Sequence, residues 1–578
     1  MATHYFYDEP ENFTDADDFI DCFNRGCEMQ FDYGGKSYSC CFIHKGQFII
    51  CEAYKEETRT TYDTPEALLD HPVGDKRLRD ILQDMEVTER TVPSSWPKWK
   101  GSMDTATFRR IGHQLVDWIA EYREKIESFP VMSQVAPGDV RAKIPKEPPQ
   151  RGVGMDGVVE ALDKIVLPGI THWNHPGFFA YFPSNTDLSS VLADLVAAGL
   201  GAQGMSWQTS PAATEVEEAV MDWLRQMLGL STSFSGVIQD TASTATFCAL
   251  LCARERTTGH SQSKGGLQAE SAPLTVYASD QAHSSIPKAA LLAGFGRDHL
   301  RLLPTDDRHA LRLDLLEAAL KTDVEAGMRP CAIVAAVGTT ATTAVDPLKE
   351  MAGLASKYGA WLHVDAALAG TAMVCPEFWW MWKGIEDGME KADSIVMNPH
   401  KWMGTGFDLS AYFVKDPQHL IRVMGTNPSY LRTSRDAEVN NFRDWGIPLG
   451  RRFRSLKLWF LIMDQGVEGI QARIRRDMGW AYWLAMQIDG TPNWQRMAPV
   501  PLQTVCMRHV PPELAGDEDA LAAHNQAIAD AINASGRYYL ATSILKGQKI
   551  IRVSIGAMAT EFRHIEELWG SLQKCAAK

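Results

Sequence analysis

Between residues 187 and 457, short apolar runs alternate with helical patterns, and that alternation leaves few folds open. The runs 274–279, 331–337, 360–364 and 394–397 are short and almost uniformly apolar, while 313–320 and 347–358 carry apolar residues at three- and four-residue spacing. Strands buried on both faces, with helices between them, make an α/β unit around a mostly parallel sheet. Ligands of such sheets collect at the C-terminal strand ends. Asp365 and Lys401 each fall just after one of these runs, so the topology predicts that they share one site.

The flanking regions read differently. Residues 1–95 predict a small α+β extension: a helix over 15–24, then the strand-like runs 29–33, 38–43 and 48–53, separated by turns at Gly34-Gly35 and Lys45-Gly46. A second helix starts at Thr64-Pro65-Glu66, with Thr64 as its N-cap. Pro93, Pro97 and Gly101 mark a linker. Residues 98–186 predict a helical segment opened by an amphipathic helix over 104–127, followed by a proline-rich stretch (137–149) and a helix over 158–165. The large domain then occupies 187–457. Residues 458–578 mix helices (467–476, 519–534) with strands (503–508, 549–553) and predict a small C-terminal α+β domain.

Composition bounds the partners. A net charge of −15 disfavours nucleic acid and anionic membranes, which need a basic surface. No apolar stretch reaches the ~20 residues of a membrane span. Residues 1–10 lack the positive charge and apolar run of a secretory leader, so a cytoplasmic protein is expected. Eleven cysteines fit reduced thiols better than a disulfide framework. Five of them (Cys22, Cys27, Cys40, Cys41, Cys51) lie in the extension without paired Cys-x-x-Cys spacing, which favours small core residues over a zinc site; no metal is expected. Trp379, Trp380 and Trp382 read as packing or an interface.

The chemistry centres on Asn398-Pro399-His400-Lys401-Trp402 and His363-Val364-Asp365-Ala366-Ala367. A lysine amine and a buried aspartate from neighbouring strands are the pair that pyridoxal phosphate requires. The amine holds the aldehyde as a Schiff base, and the carboxylate keeps the pyridine nitrogen protonated so that the ring withdraws electrons. Thr241, Ala242 and Ser243 open a helical run, where free N–H groups, hydroxyls and the helix dipole suit a phosphate; alone they would read as an ordinary helix cap. His283 follows the run 274–279, placed either to stack on a planar ring or simply to start a helix. Tyr430 lies in a polar, irregular stretch, 425–441, that reads as a mobile loop, and its phenol is suited to deliver a proton to carbon.

From about residue 102 onward the chain resembles the aromatic-L-amino-acid decarboxylases, the group II pyridoxal-phosphate decarboxylases. The matching motifs are Thr171-His172-Trp173, Phe178-Phe179-Ala180-Tyr181-Phe182-Pro183, Ser210-Pro211-Ala212-Ala213-Thr214-Glu215, the Asp365 and Lys401 segments, and Pro448-Leu449-Gly450-Arg451-Arg452. The resemblance implies a fold-type I enzyme that is a homodimer, with active sites at the subunit interface and the helix over 104–127 in the intersubunit clasp. It assigns Lys401 to the Schiff base, Asp365 to the pyridine nitrogen, His283 above the ring and Ala367 beneath it. It places Thr241, Ala242, Ser243 and Asn398 on the phosphate, Thr340 and His400 near the cofactor, and Trp173, Tyr181, Pro183 and Ser184 at the substrate ring. Tyr430 becomes the proton donor to the alpha carbon.

Some positions depart from that pattern. Asp240 stands where glycine is usual and is expected to turn from the phosphate and cap backbone donors; Leu368 replaces a tyrosine. Gln203 and Met205 occupy positions commonly aliphatic and phenylalanine, and are expected to border the substrate ring from the partner chain. Gly450 leaves room for an indole, which predicts activity on tryptophan and phenylalanine. Two alternatives stand beside decarboxylation to the amine: an oxygen-consuming aldehyde synthase, against which Tyr430 argues, and an idle scaffold carrying an N-terminal binding module, against which the intact Lys401, Asp365 and His283 set argues.

Overall fold

A computed structural model describes residues 16–24, 28–43, 47–53, 55–91, 103–150, 152–382, 388–426 and 428–577. The expected linker at 93–101 and the turn at Lys45-Gly46 lie outside the described residues. The chain forms two compact units, Met1–Val116 and Asp117–Lys578.

In the first unit the expected meander is the middle of a larger sheet. Five antiparallel strands run in the order Thr60–Tyr62, Gln47–Glu52, Lys36–Ile43, Glu28–Tyr33, Glu86–Thr91. Gly34 and Gly35, both at positive φ, make the two-residue turn between Glu28–Tyr33 and Lys36–Ile43. Thr64 caps the helix Pro65–Leu68 by accepting the Ala67 N–H. Alternate residues Met29, Phe31, Cys40, Phe48 and Ile50 point into one core with Phe19, Phe23, Leu78 and Ile81. Cys22 belongs to that core but is disulfide-bonded, which corrects the expectation of reduced thiols throughout. Cys40, Cys41, Cys51 and six cysteines of the second unit are reduced, and Cys27 lies outside the described residues.

The second unit is built on a seven-stranded sheet in the order Leu300–Leu303, Leu274–Ser279, Arg329–Ala336, Trp361–Asp365, Ser394–Met397, Ser410–Val414, Ser235–Gln239. Only Ser410–Val414 runs against its neighbours. Successive residues of Arg329–Ala336 feed opposite cores, Ala332 and Val334 on one face and Ile333 and Ala335 on the other, so helices cover both sides. Strand Ser235–Gln239 carries Gly236 inside it. Here a Cβ would stand 2.5 Å from Met221 and 2.8 Å from the Phe413 ring, so glycine serves close packing.

The C-terminal segment adds a four-stranded sheet in the order Trp494–Arg496, Thr504–His509, Gln548–Ser554, Ala541–Leu545. The helix expected over 467–476 is part of one much longer, Ser455–Asp489, broken at Gly466, whose φ of 64° interrupts the helical backbone. Helix Thr105–Glu124 carries Trp118, whose Nε1 donates to Asp163 at 2.9 Å, and Tyr122, whose hydroxyl meets His172 Nδ1 at 2.9 Å. Of the tryptophan cluster, Trp379 and Trp382 are anchored on the Met373 and Leu228 carbonyls, while Trp380 is exposed. Among the described residues no helix is long and apolar enough to cross a membrane.

Candidate active site

The site forms where the sheet ends. Strands Trp361–Asp365 and Ser394–Met397 pair in parallel with Asp365 opposite Val396, which delivers Asp365 and the turn carrying Lys401 to the same edge. That turn is locked: the Asn398 N–H donates to Ala367 at 3.0 Å and the Lys401 N–H to Asn398 at 3.0 Å, while Lys401 itself takes non-helical backbone angles. Behind it, Arg473 donates to the Trp402 carbonyl at 2.5 Å and also grips that of Met403, and Asp477 accepts from Trp402 Nε1 at 2.8 Å. Two buried side chains one turn apart on a helix, Arg473 and Asp477, thus hold the peptide just past the lysine, and Arg476 pairs with Asp477 at 2.8 Å.

Two adjoining cavities meet at Lys401. One, about 180 Å³, is lined by Thr241, Ala242, Ser243, His283, Thr340, Asp365, Ala367, Asn398, His400 and Lys401, together with Phe182, Gly338, Thr339 and Leu368. The other, about 470 Å³, opens beyond it between Trp173, Tyr181, Phe182, Pro183, Ser184, Phe407 and Arg552, and shares His283, Thr340, His400 and Lys401. Gln203, Met205, Gly450 and Tyr430 line neither; Tyr430 is 77% exposed.

Burial sets the protonation of the groups. It holds the Lys401 amine below the ordinary lysine range, opposed by Asp365 and reinforced by Arg552, which favours a nucleophilic neutral amine. The Asp365 carboxylate accepts the Ala367 N–H at 3.1 Å through one oxygen. His283 is pushed down by burial and accepts the Ser285 N–H at Nδ1 (3.1 Å), which leaves Nε2–H as its free donor. His400 is pushed down to about 4 and accepts the Leu409 N–H at Nδ1 (3.0 Å).

One end of the smaller cavity suits a phosphate. Helix Ala242–Thr258 starts there, and among the described residues the N–H groups of Ala242 and Ser243 have no hydrogen-bond partner. Ser410 Oγ donates to Asn398 Oδ1 at 2.6 Å, turning the amide so that its Nδ2 is left as a donor. Asp240 accepts the Thr241 N–H at 2.6 Å and does not line the cavity, so its charge is spent on a backbone donor. Asp365 lies at the same cavity as these donors and the Lys401 amine, and the set fits pyridoxal phosphate.

Arg552 is the functional candidate that sequence reasoning missed. Its guanidinium donates to Ala180 at 2.7 Å and Ala341 at 3.1 Å, stacks 4.5 Å from the centre of the Phe182 ring and keeps one buried nitrogen, Nη2, without a partner among the described residues. Burial pushes it down to about 10. An arginine set among Ile550, Ile551 and Val553 in strand Gln548–Ser554 was the available signal, since such a charge is seldom buried without purpose.

Acid should destabilise this region. His175, His363 and His400 are each pushed down to about 4 by burial, whereas an unfolded histidine titrates near 6.5. The unfolded chain therefore binds more protons between these values, and the stability gained from neutral burial, complete above pH 6.5, is lost as pH falls towards 4. Asp346, pushed up to about 6, works in the opposite sense. With three groups against one, melting temperature should fall between pH 6.5 and 4, and a His363→Gln variant should show a shallower fall across the same window.

Residues 137–510 match the family model described as the pyridoxal-dependent decarboxylase conserved domain. The chain is 41% identical to phenylacetaldehyde synthase of Arabidopsis thaliana over 82% of its own length and 97% of the relative's. It is 39% identical to the aromatic-L-amino-acid decarboxylase of Bos taurus, again over 82% and 97%. The crystal structure of Oryza sativa TDC with PLP and tryptamine superposes with a TM-score of 0.79 at 35% identity, covering 82% of this chain and 99% of that one. With an aspartate and a buried lysine meeting at the strand ends beside a phosphate-sized set of donors, the chain belongs to the pyridoxal-dependent decarboxylases, in the group that holds the aromatic-L-amino-acid decarboxylases.

Proposed function

We propose that this enzyme converts aromatic L-amino acids, tryptophan and phenylalanine before hydroxylated rings, into the arylalkylamine and CO2. The observation that carries this reading is the junction at Lys401 of a cofactor-sized cavity with a mouth walled by Trp173, Tyr181, Phe182 and Phe407. The matches to phenylacetaldehyde synthase and aromatic-L-amino-acid decarboxylase support an aromatic substrate. Pyridoxal phosphate, when bound, supplies an electron-poor ring that takes up the electron pair left as CO2 departs. Lys401 would tether it, Asp365 would keep the ring nitrogen protonated, and Ala242, Ser243 and Asn398 would hold the phosphate. His283 would cover the ring, and Thr340 and His400, which line the same cavity, would lie near it.

Arg552 is well placed to hold the substrate carboxylate, its unpaired Nη2 being the free donor at the mouth. Arg552→Met should then raise KM by about 10²-fold, as expected when a buried charge pair worth ~2–5 kcal/mol is truncated. Binding of the product amine, which has no carboxylate, should be unchanged; equal weakening of both would show that Arg552 only supports the fold.

The reading also makes the enzyme a cytoplasmic homodimer. Leu188, Leu192, Leu195 and Leu200 are exposed on helix Leu188–Leu200, an apolar face suited to a second copy. Tyr430, Gln203, Met205 and Gly450 lie outside their own subunit's cavities, so each would complete the partner's site. A Cβ on Gly450 would come within 3.3 Å of Gln203 Nε2, tying ring space to that glutamine.

The match to phenylacetaldehyde synthase favours a second reading, oxidative deamination to the aldehyde. An amino-acid panel assayed for CO2, amine and peroxide separates the two. Amine in step with CO2 is the expected result, and peroxide in step with CO2 would replace it with the aldehyde reading.

A further inference from the structure

The stretch that carries Tyr430 is tied at its root by two carboxylates: Glu218 accepts from Asn440 Nδ2 at 2.6 Å, and Asp436 gathers the larger share of the contacts. Asp436 accepts the Thr433 N–H at 3.1 Å, the Thr433 hydroxyl at 2.5 Å and Asn441 Nδ2 at 3.1 Å. The Thr433 hydroxyl, first among these, holds the Asp436 carboxyl below the usual carboxylate range. The Arg443 guanidinium, its side chain 2% exposed, stands 3.9 Å from Asp436 and 3.5 Å from Asp444.

The same root is joined to the segment bearing Gln203 and Met205. The Trp207 N–H donates to Asn441 Oδ1 at 3.1 Å, the Arg443 N–H donates to the Met205 carbonyl at 2.9 Å, and Arg435 lies 5.3 Å over the Trp207 ring. A cavity of about 930 Å³ flanks this root, bordered by Asp436, Glu438, Asn440 and Trp445. Packing on that side is therefore thin, and the polar contacts supply the restraint. Tyr430 rides on the single turn Ser429–Leu431, only three residues from Thr433, so wherever the Asp436–Thr433 pair is held the phenol has a short tether.

We propose that Asp436 is a positioning residue: by fixing the root of this stretch to Thr433, Asn441 and Arg443 it sets where Tyr430 can reach, and so the proportion of turnover that ends as amine. The inference rests on Tyr430 being the proton donor. In the amine route the alpha carbon loses CO2 and gains one proton from the phenol, which solvent restores. In the competing route dioxygen is the oxidant: amino acid, O2 and water give aldehyde, CO2, ammonia and hydrogen peroxide, the two electrons that would have formed the new C–H bond passing to oxygen.

The test uses the full-length enzyme loaded with pyridoxal phosphate and reads peroxide per CO2 with phenylalanine. Asp436→Ala is expected to raise that ratio several-fold, and Thr433→Val, which removes only the hydroxyl donor, to raise it in the same direction by less. A merely structural role would lower CO2 and amine together and leave the ratio at the parent value. Tyr430→Phe separates the two claims. If it raises peroxide per CO2 while Asp436→Ala and Thr433→Val do not, the positioning role is overturned and the proton-donor reading stands. If Tyr430→Phe itself leaves the ratio unchanged, both fall. Should Asp436→Ala fail to fold, Thr433→Val carries the decision alone.

Discussion

Lys401→Ala should abolish steady-state decarboxylation, by roughly 10³-fold or more, as when the residue that carries a covalent step is removed. The reason is positional as well as chemical. Lys401 stands at the junction of both cavities, and among the described residues no other lysine lines either of them. Burial lowers its proton affinity, which eases loss of the proton that must leave before the amine can act as a nucleophile. The variant should still bind pyridoxal phosphate through the phosphate donors but lose the visible absorbance of the tethered form. Isothermal titration with the cofactor and a CO2 assay measure the two parts separately. Undiminished CO2 release from the variant would end the assignment.

Asp365→Asn comes next in size. The amide preserves shape but offers no negative charge to a protonated ring nitrogen, and loss of one preorganised electrostatic partner in a dry site costs ~10²–10³ in kcat. KM should move far less than kcat, because the charge is needed as electrons arrive in the ring. A cofactor analogue carrying a fixed positive charge at the ring nitrogen should recover activity in Asp365→Asn. If it does not, the aspartate acts through the fold, for example through its bond to the Ala367 N–H.

Much of this was legible in the sequence because the large domain alternates cleanly. The strands ending at Ser279, Asp365 and Met397 are short, apolar and bounded, so the positions of His283, Asp365 and Lys401 followed from topology. Residues gathered from distant parts of the chain were harder to read. Arg552 reaches the mouth from a strand of the C-terminal sheet, and Phe407 from the segment before Ser410–Val414. Their roles depend on tertiary placement, which periodicity does not encode. Strand Ser235–Gln239 was not read from the sequence; its Gly236 answers to close packing against Met221 and Phe413, which only the tertiary structure displays. Helix Ser455–Asp489 was broken at Gly466, so only its later part carried a regular pattern.

The one reversed strand has a further bearing on the site. Ser410–Val414 touches both halves of the cofactor grip: Ser410 pairs across the sheet with Gln239, just before the phosphate helix, and its hydroxyl holds Asn398, just before the lysine turn. It therefore works as a spacer bar whose length is counted in residues. A one-residue insertion at its start would turn Ser410 to the opposite face. The amide would lose its tether, and the anion seat and the amine would fall out of step even with every catalytic side chain intact.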